Sequence, residues 1–312
     1  MIPGQNRPPV ALIAGPTASG KSAVALHLAE TTGGIIINAD ASQVYADLAV
    51  ITARPDGQDL ARAPHRLFGH VDGQEDYSAA RWAAEARAEI DAAHDAGRPA
   101  ILVGGTGLYL DTLLNGIAPV PDIDPDIRDS VRALPVSESY DALLREDPEA
   151  AARLKPADTL RVARALEVVR STGRPIADWQ QHREGGILGT MTIRAAVVLK
   201  SRTDLADRAE RRLAIMMATG AIEEVAALLE RPLAADKPVL RALGVREIGA
   251  ALAGEIDMAE ASARILKATL AYQKRQLTWA RNRQTNWLRV ESDEMPMLET
   301  ITVIGNHLEA KQ

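Results

Sequence analysis

Gly15-Pro16-Thr17-Ala18-Ser19-Gly20-Lys21-Ser22 follows a short apolar run, Val10–Ala14, and leads into residues 21–30, where Val24, Leu26 and Leu28 sit among alanines. Strand, glycine turn and helix in that order constrain the fold more than any other feature of the chain. The spacing GxxxxGK followed by Ser or Thr lets successive backbone N–H groups turn inward, and a helix beginning near Lys21 adds the positive end of its dipole. Such a P-loop is a nest for a diphosphate, with Lys21 bridging phosphate oxygens and the Ser22 hydroxyl in the shell of a magnesium ion. Aliphatic runs at Ile35–Asn38 and at residues 100–103 and 195–199, with a helical pattern over residues 78–96, alternate as in an α/β core, a parallel sheet flanked by helices.

Residues 119–189 differ in texture. Pro119, Pro121 and Pro125 open the interval, Gly185, Gly186 and Gly189 close it, and helical patterns fill it, as expected for a small inserted helical domain. The core is then residues 1–118 and 190–312, the second part helical from 204 to 283 apart from breaks at Pro232 and Pro238. With no cysteine in 312 residues, disulfides, thiolate zinc sites and cysteine nucleophiles drop out together. No basic and apolar leader opens the chain, and no run approaches the ~18 apolar residues of a membrane helix, so a cytoplasmic protein without membrane partners is expected. No oligomerising seam is evident, and a monomer is the expectation.

A formal net charge of −6 argues against a nucleic-acid partner. Its distribution argues otherwise. Residues 261–290 contain no Asp or Glu, yet hold Arg264, Lys267, Lys274, Arg275, Arg281, Arg283 and Arg289. That segment is either a helix whose acidic partners lie elsewhere in the fold or a surface for phosphates.

The P-loop alone implies only a polyphosphate ligand. An ordinary P-loop NTPase also carries an acidic residue at the end of an apolar strand, whereas residues 100–103 run into Gly104-Gly105-Thr106-Gly107. The second strand ends Ile37-Asn38-Ala39-Asp40, which sets Asp40 at the carboxyl edge of the sheet, where ligands of open α/β sheets bind. From position alone Asp40 is a helix cap or magnesium-shell residue as readily as a base.

These residues resemble those of the tRNA dimethylallyltransferases, also called tRNA isopentenyltransferases. The resemblance takes in GPTASGKS at residues 15–22, NADASQVY at 38–45, TARP at 52–55, APHRL at 63–67 and YSAARW at 77–82. It continues through LVGGTGLYL at 102–110, LRVARALEV at 160–168, RAERRLAIMMATGAIEEV at 208–225 and KRQLTWAR at 274–281. The blocks span most of the chain, and GGTGLY and KRQLTW are far more specific than the P-loop.

The resemblance implies that the cradle (Gly15, Pro16, Thr17, Ala18, Ser19, Gly20, Lys21, Ser22, with Arg208) holds dimethylallyl diphosphate with magnesium, and that the five-carbon group passes to the exocyclic amine of an adenosine next to the anticodon of tRNA. Asp40 is then the general base. Thr106 and Arg212 help to stabilise the departing diphosphate. For the tRNA it implies Asp40, Ala41, Ser42, Gln43 and Thr106, then Arg128, Leu160, Arg161 and Arg164, then Arg241, Arg246, Lys274, Arg275, Gln276 and Arg281. Phosphate contacts would position the stem-loop, the target base would leave its stack, and Gln43 or Gln276 would read base edges. Simpler roles stand beside these: a turn threonine for Thr106, a solvated salt-bridge face for Arg208 and Arg212, and core packing in place of base stacking for Trp279. Ala41, Ile51, Val245 and Leu270 depart from the family's usual Ser, Gly, Tyr and Arg. The first removes a hydroxyl that would support the base. Two other readings share the cradle: a small-molecule kinase using ATP, which leaves the basic segment unexplained, and a non-catalytic RNA-binding protein, against which intact Lys21, Ser22, Asp40 and Thr106 argue.

Overall fold

A computed structural model describes residues 8–283, 285–291 and 297–309. The chain divides into two compact units, Met1–Leu113 with Leu188–Gln312, and Leu114–Ile187.

The larger unit is built on a six-stranded sheet in the order β3-β2-β4-β1-β5-β6. Its strands are β1 (Val10–Ala14), β2 (Ile35–Asn38), β3 (His65–Arg66), β4 (Ala100–Gly104), β5 (Ile193–Leu199) and β6 (Leu288–Glu291), and every pairing is parallel. A parallel sheet is covered on both faces, so its central strands are continuous apolar runs and not alternating ones; all of β1, β2 and β4 is buried. Ala11, Ile13, Ile36, Ile101, Val103, Ala196 and Val198 share one core cluster with Val24, Leu26 and Leu28 of α1 (Lys21–Thr32) and with Ile304 of the last helix, Met297–Glu309. The intervening Leu12, Ile37, Leu102 and Val197 are equally buried and point to the opposite face.

Because β4 lies between β1 and β2, the turns that leave these three strands emerge side by side at the carboxyl edge. They are the glycine loop, the Asp40 turn and the segment at Thr106. The short helix α2 (Gly57–Arg62) precedes β3, and α3 (Ala79–Asp95) and α4 (Gly107–Asn115) flank β4.

The smaller unit holds five helices, α5 (Pro125–Arg132), α6 (Val136–Glu146), α7 (Pro148–Arg153), α8 (Thr159–Thr172) and α9 (Ile176–Gln180). Asp124 and Asp147 cap α5 and α7, each followed by a proline whose missing N–H costs nothing at that position. Leu143, Val162 and Leu166 centre its core, and an antiparallel bridge between Ile117 and Glu184 joins its two ends.

Back in the larger unit, α10 (Arg202–Ala218), α11 (Ala221–Leu229), α12 (Val245–Leu252) and the 26-residue α13 (Met258–Arg283) follow β5. Among the described residues no helix is long and apolar enough to cross a membrane.

Candidate active site

Within the glycine loop Ala18 and Gly20 take left-handed backbone angles, φ 68° and 97°. That alternation curls the chain into a concave nest of amides. Gly20 caps α1 without any side-chain hydrogen bond, so the first-turn N–H groups remain available to an anion. Lys21 folds back over the loop, its Nζ 3.4 Å from Pro16 O. From α10, Arg208 Nε donates to Ala18 O at 2.7 Å. Together with Ser22 and Arg212 these residues line an open cavity of about 440 Å³. Burial pushes the Lys21 ammonium down to about 8, with Asp40 opposing the shift and Arg212 adding to it. The Arg212 guanidinium is likewise held below its usual range by burial, against the pull of Asp40. Two desolvated cations aimed into one cavity are the arrangement that a polyanion relieves.

Asp40 stands on a turn that its neighbours over-determine. The fully buried Asn38 accepts the Asp40 N–H at 2.8 Å and donates Nδ2 to Asp40 O and to Leu67 O. Trp82, also fully buried, donates its indole N–H to Asn38 O at 2.8 Å. Asp40 Oδ1 accepts the Ser42 N–H at 2.9 Å, so a backbone amide orients the carboxylate although Ala41 offers no hydroxyl. Thr106 Oγ1 accepts the Ala41 N–H at 2.9 Å, and the Thr106 N–H returns to Ala39 O at 3.2 Å. This interlock requires Gly104, where a Cβ would stand 2.1 Å from Ala39 O. Tyr272 completes the cluster: its hydroxyl hydrogen-bonds the Thr106 side chain, and burial, with Asp40 adding, pushes the phenol up to about 12.

A second cavity, about 60 Å³, is lined by polar groups that include Thr17, Asp40, Thr52, Arg212 and Tyr272 and by apolar ones that include Ile51, Leu213 and Met216. Helix geometry orders these groups. On α10, Arg208, Arg212 and Met216 are spaced four residues, ~6 Å, apart, so one face of the helix runs from the loop carbonyl held by Arg208 past Arg212 to Met216. Arg212 borders both cavities.

Two expected base-readers make hydrogen bonds within the protein. Gln276 is buried, its Oε1 accepting the Thr17 N–H at 2.8 Å and its Nε2 donating to Gly105 O at 3.1 Å. Gln273, one turn earlier, donates to Thr17 O at 2.9 Å. These amides anchor α13 to the glycine loop, and Gln276 is inaccessible to a base. Gln43 donates its Nε2 to Thr52 O and Ala53 O, bracing the loop that carries Ile51. Replacing Gln276 with Ala strands the Thr17 N–H and the Gly105 carbonyl, and we expect a loss of ~1–3 kcal/mol in urea unfolding; a solvent-facing reader of bases would leave stability unchanged. Trp279 packs half-buried against Gly107, where a Cβ would lie 2.6 Å from its ring, and meets Trp287 edge to face.

The cations expected at the RNA fall in both units. On α13, Lys274, Arg275 and Arg281 are exposed and have no ion-pair partner among the described residues, whereas Arg264 pairs with Glu260 of its own helix at 2.6 Å. Arg246 is exposed, and Arg241 donates to Asp236 O. In the smaller unit Leu160 is exposed, Arg161 pairs with Asp158, and Arg164 and Arg132 approach the buried Glu167. The charge of Arg128 also acts on Arg164, whose guanidinium is pushed down chiefly by burial. Of the remaining departures, Val245 is buried at the start of α12 and Leu270 is half-buried on α13.

Tyr272, Gln273 and Glu224 escaped the sequence reading. The first two lie on the face of α13 that also carries Ile265 and Ala280, a periodicity that marks them as inward-facing without naming their partners.

A doubly covered parallel sheet with a nest after β1 and a carboxylate turn two strands away defines a P-loop α/β enzyme. Family models narrow this class: that of IPP transferase matches residues 43–283 and that of isopentenyl transferase residues 8–76. The chain is 57% identical to the tRNA dimethylallyltransferase of Sphingopyxis alaskensis over 94% of its own length and 97% of the relative's, and 53% identical to that of Erythrobacter litoralis over 92% of each. Its fold is similar to the solved tRNA isopentenylpyrophosphate transferase of Bacillus halodurans, with TM-score 0.69, 30% identity and coverage of 96% and 94%. A eukaryotic dimethylallyltransferase solved acting on tRNA matches with TM-score 0.79 and 25% identity, over 95% of this chain and 78% of that one. The chain belongs to the tRNA dimethylallyltransferase family and is a prenyl-transferring, tRNA-modifying enzyme.

Proposed function

We propose that the donor is dimethylallyl diphosphate, bound with its diphosphate in the glycine-loop nest and its five-carbon group in the narrow second cavity, and that the acceptor is the exocyclic amine of the adenosine next to the anticodon. The observation that carries this reading is that Arg212 borders both cavities while Asp40 faces the second. A polyanion and a short apolar group therefore meet within reach of one carboxylate. The allylic carbon–oxygen bond breaks, the amine nitrogen bonds to the carbon, its proton goes to Asp40, and diphosphate leaves. The amine is a poor nucleophile because its lone pair is delocalised into the ring, so a base positioned at its proton accelerates attack. Charge builds on the leaving diphosphate, where Lys21, Arg208 and Arg212 act more strongly on the transition state than on the ground state. The Thr106 hydroxyl hydrogen, shared here with Tyr272, is free to turn to the bridging oxygen once the donor is in place.

Magnesium fits this nest. The exposed Ser22 hydroxyl stands at the mouth of the cradle, and a diphosphate with waters supplies the remaining oxygens that such an ion prefers. Held there, the ion would supply positive charge against the leaving diphosphate.

Lys274, Arg275 and Arg281 on α13, Arg241 before α12 and Arg246 on it, and Arg128, Arg161 and Arg164 of the helical unit would meet RNA phosphates, each such contact adding to a steep salt dependence. The protein would act as a monomer. Incubation with magnesium, tRNA carrying adenosines beside the anticodon, and labelled dimethylallyl diphosphate or labelled ATP tests the assignment. Label from the first donor is expected in the RNA; transfer of a phosphoryl label from ATP to any acceptor would replace the reading with a kinase.

A further inference from the structure

We propose that Glu224 is a positioning residue for the transfer step, an inference that rests on the roles given above to Asp40 and Arg212. It ties a turn that borders the Asp40 cavity to the helix pair that carries Arg212, and so sets the spacing between the base and the cation at the leaving group.

The turn cannot hold its shape alone. Over residues 49–54 the Arg54 N–H donates to Ala49 O and the Ala53 N–H to Val50 O, both at 3.0 Å, with Ala53 in the left-handed region at φ 51°. Thr52 Oγ1 donates to Leu48 O at 2.8 Å. One isolated turn fixes many dihedral angles for few hydrogen bonds, and its leading amides and trailing carbonyls find no partners within it. Both ends are met from outside. Glu224 on α11 accepts the three leading amides, Oε1 from Ala49 and from Val50 at 3.0 Å and Oε2 from Ile51 at 2.9 Å. Gln43 donates Nε2 to the trailing carbonyls of Thr52 and Ala53 at 2.9 and 2.8 Å.

Each of these contacts leads on to the chemistry. Gln43 follows Ser42, whose N–H holds Asp40 Oδ1 at 2.9 Å, and its own N–H donates to Asp40 O at 3.2 Å. Glu224 lies one turn into α11, which follows α10 and its Arg212 after Thr219 and Gly220 alone. The turn also packs at that junction, where a Cβ on Gly220 would stand 3.9 Å from Val50 Cγ2. Ile51 and Thr52 line the cavity together with Asp40 and Arg212. The side of the cavity that bears the base and the side that bears the cation are thus bound to one another through the Glu224 carboxylate. The glycine loop is held separately, by Arg208, Gln273 and Gln276. Displacing a reacting group by about 1 Å, even through a change remote from it, costs about 10²-fold in rate.

Single-turnover transfer by the full-length protein tests this, with donor, magnesium and tRNA saturating and well below the melting temperature. Glu224→Ala is expected to lower the rate about 10²-fold, and the nearly isosteric Glu224→Gln, which keeps one accepting oxygen, about tenfold. Inhibition by inorganic diphosphate is expected to be unchanged in both. A double-mutant cycle separates positioning from a purely structural role: in the Asp40→Asn protein, which has no base to misplace, Glu224→Ala should lower the rate by less than about threefold. A purely structural role would lower the melting temperature and leave the rate of the folded enzyme alone. A Glu224→Gln rate within about threefold of wild type, or losses that simply add in the cycle, overturns the proposal and leaves the donor assignment standing. A wild type that transfers no prenyl group, or an Asp40→Asn protein as fast as wild type, overturns the reading beneath it and this inference as well.

Discussion

Asp40→Asn lowers kcat by about 10²–10⁴-fold, the usual worth of a positioned general base, while KM for the diphosphate donor stays within a few-fold. The substitution isolates the basic oxygen from the geometry. Asparagine keeps an Oδ1 to accept the Ser42 N–H, and the rest of the turn is fixed by Asn38 and Thr106 through backbone atoms that the change leaves alone. Thermal melting should therefore match the wild type. Single-turnover transfer, measured with donor and magnesium saturating, checks the prediction, and a rate within threefold of wild type would remove the base from the mechanism.

Lys21→Ala carries the second large effect, a fall in kcat/KM for the donor of about 10²–10³-fold, as for loss of one preorganised donor to developing negative charge. Its pH dependence is distinctive. Lysine acts here as a cation, and burial brings its pKa down to about 8 in the free protein, so the wild-type kcat/KM, which reports free-enzyme groups, falls as pH rises through about 8. A bound diphosphate favours the ammonium, so the fall in kcat itself moves to higher pH. Lys21→Arg, always charged, abolishes this alkaline limb even where the altered shape costs rate. Since Asp40 raises the Lys21 pKa, the limb in Asp40→Asn shifts to lower pH. A wild-type profile flat to pH 9.5, about 1.5 units above that pKa, would contradict the desolvated lysine.

Local sequence carried the cradle because a nest is made by contiguous residues. Left-handed backbone at Gly20, the helix start at Lys21 and the preceding strand all lie within one short segment. Asp40 was legible for a related reason: the apolar run Ile35–Asn38 stops where the strand stops, so the next polar side chains fall at the carboxyl edge. Strands β3 and β6 escaped notice. They are two and four residues long, lie at opposite edges of the sheet and contain Arg66 and Arg289, charges that blunt an edge and erase the apolar signature.

A glutamine looks the same in sequence whether it faces water or a buried carbonyl. Gln276 was expected at a base; the packing of α10 and α13 puts it on Thr17, 259 residues away in sequence, a pairing that no local pattern encodes. The same holds for Glu224, whose reach to residues 49–51 spans more than 170 positions.

By itself, then, the chain's order of residues determined a parallel α/β core, a glycine-loop nest and a carboxylate at the same sheet edge, because each is set by short-range backbone preference and by where apolar runs end. Only the tertiary structure decided which helices close the site, that Tyr272 joins Thr106, and that Gln276 is spent on the glycine loop. Those outcomes depend on close packing between segments far apart in the chain, where a few tenths of an ångström decide which side chain fits.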